Sequence, residues 1–137
     1  MTMTNKVKKE IEKIMKERDY SFSVEEFKDR ANWATVCKYN VLSEDFIREF
    51  RDKINWDAPL LYRSLSETFM REFKDKMWWS YIIGYRDVSE DFIYDMKEEM
   101  GINCFNYCIK KGTISEEYIK KRGTKVDRFE IMDMEED

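Results

Sequence analysis

The stretch Leu42 to Trp56, LSEDFIREFRDKINW, returns 23 residues later as Leu65 to Trp79, LSETFMREFKDKMWW. Repetition at so short a period dictates a fold made of copies of one small unit. Such a unit cannot bury its own apolar face and must cover it with the next copy. A third copy opens at Val88 to Ile93, another 23 residues on, and a degenerate fourth, Ile114 to Ile119, follows after 26. Half a copy precedes them, with Glu26 to Trp33 matching Glu49 to Trp56.

Each copy opens with the signature of a helix start. Ser43, Ser66, Ser89 and Ser115 are placed to accept from orphan amides as N-caps, and the acidic residues after them suit the positive end of the helix dipole. Apolar residues stand before each cap (Leu42, Leu65, Val88, Ile114) and five positions later (Ile47, Met70, Ile93, Ile119), the spacing of a hydrophobic staple. Phe46, Ile47, Phe50 and Ile54 form one stripe. Arg48 with Asp52 and Glu49 with Lys53 stand at the i, i+4 spacing of outward ion pairs. A shorter second helix follows in every unit, over Trp33 to Asn40, Trp56 to Arg63, Trp79 to Arg86 and Ile102 to Lys110. Asn32 and Asn55 are cap candidates for it, and Pro59 points to a later start in the second copy, with Asp57 as cap. Gly101, Gly112 and Gly123 mark helix ends. The expected fold is all-α, a small solenoid of stacked helix-turn-helix repeats over residues 1–122. An N-terminal helix on Val7, Ile11, Ile14 and Met15 caps it, and residues 123–137 form an acidic tail.

Composition narrows the function. The chain has no His, which removes Ser-His and Cys-His nucleophile pairs, His metal ligands and the commonest acid-base side chain near neutrality. It carries neither a Gly-rich phosphate loop nor a nucleophile elbow. The acids Glu44, Asp45, Glu67, Glu90, Asp91, Glu116 and Glu117 recur at helix starts, where the dipole accounts for them. No catalytic residue and no cofactor are expected. Cys37, Cys104 and Cys108 are too few for a disulfide framework and read as reduced thiols; Cys104 and Cys108 share a helical face, but a closed zinc site would need carboxylates as well. No metal is expected. The chain shows no signal-peptide core and no run of the roughly 18 apolar residues that crosses a bilayer, so a cytoplasmic protein without a membrane partner is expected. The net charge of −4 lies wholly in residues 123–137, and the rest of the chain is neutral. A neutral body gives little attraction to phosphate backbones, which argues against direct nucleic-acid binding.

The two LSE units quoted above resemble the short tandem helical repeats of uncharacterised proteins encoded by bacteriophages and large DNA viruses. The likeness covers Glu26 to Arg122 and implies a viral origin, but its recurring positions are packing and capping positions, so no catalytic residue carries over. The last unit departs from the pattern, with Ile102 at the Trp column and Arg122 at the second Phe column.

Function is therefore sought where the repeat is broken. Trp78 stands at a column otherwise held by Asn32, Asn55 and Gly101, and exposed Trp is a residue type that anchors interfaces. The tail residues Phe129, Glu130, Ile131, Met132, Asp133, Met134, Glu135 and Glu136 interleave apolar and acidic side chains, as in a docking peptide for a basic, grooved partner, a last packed element or a solvated end. Together they mark a non-enzymatic module that binds a host protein, such as a basic nucleic-acid-handling enzyme, and inhibits or redirects it as anti-CRISPR proteins do. The alternative is single-stranded nucleic-acid or nucleotide binding along the column Tyr39, Tyr62 and Tyr85 with Arg63 and Arg86, if that column is not inter-unit core.

Overall fold

The computed structural model describes residues 3–126, which form ten α-helices and two 3-10 helices with no strand among them. The protein is all-α. The tail residues Phe129 to Glu136 lie outside the described residues. None of the described helices is long and apolar enough to cross a membrane. The chain divides into two compact units, Met1–Met70 and Arg71–Asp137.

The first unit opens with α1, Asn5–Glu17, whose N-cap Thr4 accepts from the Val7 amide. Its stripe of Val7, Ile11 and Ile14 is buried. The helix ends in a left-handed residue, Asp19 (φ 54°), that lets the Tyr20 amide reach back to the Met15 carbonyl. A 3-10 turn, Val24–Glu26, leads into α2, Phe27–Arg30, and α3 follows as Trp33–Tyr39. Next come α4, Glu44–Glu49, a 3-10 helix at Pro59–Arg63, and α5, Glu67–Glu72, which crosses the division between the units. The core holds an aromatic knot in which Phe27 and Trp33 of the half copy meet Phe46 and Phe50 of the first full copy, with ring centroids 4.8 to 6.1 Å apart. Phe69 and Met70 are fully buried.

The second unit holds α6, Trp79–Tyr85; α7, Glu90–Asp95; α8, Lys97–Met100; α9, Ile102–Lys111; and α10, Glu116–Val126. Its core includes Trp79, Ile82, Phe92, Ile93, Met100 and Cys108. α9 packs on α6 and α8. Gly101 (φ 85°) and Gly112 (φ 86°) stop α8 and α9 in conformations that side chains rarely adopt.

All four serines act as caps: Ser43, Ser66, Ser89 and Ser115 accept from the amides of Phe46, Phe69, Phe92 and Tyr118 at 3.0 to 3.1 Å. Their own amides turn the other way. Ser43 donates its N–H and hydroxyl to the Glu10 carboxylate (2.9 and 2.5 Å), Ser66 its N–H to Glu44 (2.7 Å), and Ser115 its N–H to Glu90 (2.9 Å). Glu44 and Glu90, acids at helix starts, thus also tie one repeat to the next, and Glu10 ties α1 to the first of them.

Three expectations are corrected. α4 ends at Glu49, and the Lys53 amide bonds the Phe50 carbonyl in a tight turn, so the helical register assumed for Arg48–Asp52 and Glu49–Lys53 is lost; Arg48 pairs with Asp45 instead (3.5 Å). The stripe survives, because Phe50 and Ile54 stay buried on leaving the helix. In the second copy Ala58, not Asp57, is the N-cap of the Pro59 helix, and Asn55 accepts from the Asp57 amide in a local turn. Pro59 supplies the fixed φ of a first helical residue, but the segment winds only as a short 3-10 helix. Gly123 lies inside α10, not at its end.

Candidate functional site

α6 shows most clearly how a repeat segment takes on a second task. One face carries Trp79, Ile82 and Ile83 into the core. Trp78, Tyr81 and Tyr85, at spacings of three and four, share another face and stack in sequence. The Trp78 and Tyr81 centroids are 4.8 Å apart at 27°, and those of Tyr81 and Tyr85 are 4.7 Å apart at 33°. Trp78 and Tyr81 are half-buried, while Tyr85 is 77% exposed, so the stack ends on an open ring.

The stack is bought with a cap. At the equivalent position Asn32 accepts from the Thr35 amide, whereas Trp78 occupies the N-cap of α6 with no side-chain cap bond. Forgoing an Asn cap typically costs about 1 kcal/mol. Tyr81 completes the ribbon. Its column reads Thr35, Ala58 and Cys104 elsewhere, so the signal that singled out Trp78, an aromatic at a non-aromatic column, marks Tyr81 as well.

The tyrosine column does not form a continuous ladder. Tyr39 is 55% exposed, lies under the Arg18 guanidinium (4.7 Å) and has the Lys38 ammonium 5.3 Å from its ring centre. Tyr62 is fully buried, and its hydroxyl donates to the Trp56 carbonyl. A ring with no exposed face stacks no base, which removes Tyr62 from the nucleic-acid set. Tyr62 sits with Leu61 on the buried side of the 3-10 helix Pro59–Arg63. Arg63 is exposed. Arg86, half-buried, ends α6 with its amide on the Ile82 carbonyl.

Around Asp95 the charges engage one another. Asp95 accepts from Arg71 and Arg122 (both 2.6 Å), Arg122 also reaches Asp91 (3.1 Å), and the Tyr118 hydroxyl donates to Asp91. Partial burial raises the Asp95 pKa, but the hydrogen bonds and charges of Arg122 and Arg71 outweigh it and hold the carboxyl below its ordinary value. Desolvation, with the Asp91 carboxylate, raises that of Tyr118. Arg122 also lies 4.5 Å over the Tyr94 ring, so an Arg at the second Phe column still packs on an aromatic. This geometry suits a clamp between helices, with every proton-transfer candidate already bonded. Cys37 and Cys108 are buried and Cys104 half-buried; burial pushes the Cys37 and Cys108 thiols up, away from the reactive thiolate. Among the described residues no cluster of three or more Cys, Asp or Glu side chains is arranged to hold a metal ion.

No protein-family model, curated protein or solved structure matches this chain.

Proposed function

We propose that this chain is a protein-interaction module without enzymatic activity, a stack of short helical repeats that binds a partner protein through the Trp78–Tyr81–Tyr85 ribbon and the tail Phe129 to Glu136. The observation that carries this reading is the exchange of a helix cap for an aromatic at Trp78, continued by stacked Tyr81 and exposed Tyr85. Stability given up for a surface feature marks a place where function outweighs folding. The serine-to-acid bonds that recur from one repeat to the next support the stacked arrangement, and Glu10 on Ser43 supports a capping role for α1. The likeness to viral repeats makes the partner a host protein that the module inhibits or redirects. A basic partner suits the acidic tail, whose charges would steer association.

The test is reconstitution. Partners captured from bacterial lysate are purified, and a complex of fixed stoichiometry is re-formed with the parent chain and with Trp78→Asn, which restores the cap of the sister copy. The variant should stay folded, the regained cap offsetting the lost stacking on Tyr81, and bind about 30-fold or more weaker, the size of an interface hot spot. Equal binding by parent and variant would place the interface elsewhere.

A further inference from the structure

Cations lie over many of this protein's rings. Arg30 lies over Phe22, Arg48 over Phe69, Arg71 over Phe92, and Arg122 over Tyr94, at 4.5 to 5.3 Å from the ring centres. The exposed tyrosines follow the same habit: Tyr39 has Arg18 and Lys38, and Tyr107 has Lys111 at 5.7 Å. Tyr85 is the exception. It is the most exposed of these tyrosines, Tyr81 stacks on it, and no cation among the described residues covers its ring.

We infer that the outer face of Tyr85 is a docking point for an arginine side chain of the partner, so that the partner segment is basic and arginine-bearing. The inference rests on the protein-interaction reading above and names the chemistry of its occupant. Three considerations favour a guanidinium. A ring face attracts cations through its quadrupole, and a ring already backed by two others is held in place at no further entropic cost. A guanidinium is planar and weakly hydrated and stacks on a ring, whereas an ammonium is compact and keeps its water. Asp87, exposed two residues beyond Tyr85, adds a carboxylate. A nucleobase would fit the same ring, but the nucleic-acid reading lacks a continuous ladder, because Tyr62 is buried.

The experiment uses the full chain and three labelled probes: a hexa-arginine peptide, a hexa-lysine peptide and an oligothymidine, with affinity read by fluorescence anisotropy. The arginine peptide should bind several-fold tighter than the lysine peptide. Tyr85→Ala should weaken it about two- to five-fold, the effect of one exposed cation–π contact. Tyr85→Phe should keep the affinity, since the ring and not the hydroxyl is the receptor. Tyr39→Ala, at a ring the chain already covers, should leave it unchanged. Circular dichroism confirms that each variant is folded. Equal binding of both peptides, untouched by Tyr85→Ala, would reduce the effect to the charge of the acidic tail and overturn the proposal. Tyr85-dependent binding of oligothymidine without a preference for arginine would overturn it in favour of base stacking. If the arginine preference fails while the reconstituted complex still depends on Trp78, the guanidinium falls and the interaction module stands; if neither depends on the ribbon, both fall.

Discussion

The indole N–H of Trp79 donates to the carbonyl of Lys74, five residues earlier, at 3.3 Å. Trp56 makes the same bond to Arg51 (3.3 Å) and Trp33 to Lys28 (2.9 Å), so the bond repeats with the sequence. After α4 the chain leaves the helix, and a carbonyl is freed that no amide of that helix can reach; the indole of the next segment satisfies it. This explains why the column is Trp and not another large apolar residue. Trp79→Phe keeps most of the ring but removes the donor, and denaturant unfolding should show a loss of about 1–2 kcal/mol. Trp33→Phe, at a more exposed position, should cost less.

Phe69 is fully buried at the centre of its repeat. Phe69→Ala should therefore lower the unfolding free energy by about 3–5 kcal/mol, the range of buried Phe truncations. Lys76→Ala, on the exposed surface, should change it by less than about 0.5 kcal/mol. A loss below about 1 kcal/mol at Phe69 would show that the column carries no core.

Two glycines should respond in opposite directions. Gly84 lies inside α6, and a Cβ built there meets nothing within 4 Å. Gly84→Ala should stabilise by about 0.5–1 kcal/mol, mainly by restricting the unfolded chain. Gly112 ends α9 at φ 86°, and Gly112→Ala should destabilise by about 1–2 kcal/mol despite the open space around it. Thermal melts of the pair would decide both signs.

Asp95 gives the protein an acid-sensitive joint. Burial opposes its charge, but the bonds to Arg122 and Arg71 outweigh burial, so its folded pKa lies below the unfolded value near 3.8. The stabilisation is complete above that value and is lost as the pH falls through the lower folded pKa. Asp95→Asn should cost about 1–2 kcal/mol near neutrality, as expected for charged hydrogen bonds at a partly exposed site. The difference between the unfolding curves of parent and variant should begin to narrow only below about pH 4 and close once the pH is under the folded pKa.

What the sequence made legible was local chemistry. A Ser followed by an acid at the head of an apolar stripe signals an N-cap, and all four of these serines cap; the buried Phe columns follow from spacing in the same way. Periodicity says nothing, however, of where a helix stops. α4 ends at Glu49 because the Phe50 carbonyl closes a turn with Lys53, so ion pairs written on a longer helix were misplaced. The indole-to-carbonyl bond depends on that same early exit and was hidden with it. Of the site, Trp78 was visible as a broken column. Tyr81 was equally visible but hard to weigh, because its importance lies in standing three residues from Trp78 and four from Tyr85 on a face that only the winding of α6 defines.

The bond from Ser66 to Glu44 spans 22 residues and that from Ser115 to Glu90 spans 25, yet the two joints have the same donor and acceptor. The second segment of the longer span is α9, with ten residues, where that of the shorter span is the five-residue 3-10 helix Pro59–Arg63. A segment can thus grow by nearly one helical turn at its far end while the joint to the next copy is rebuilt unchanged. The architecture is therefore tolerant of length in its second helices and intolerant of it between a serine and its own cap target. Insertions that survive in such a chain, natural or engineered, should collect just ahead of the residue that closes a second helix, as Gly112 closes α9, leaving the spacing around each serine intact.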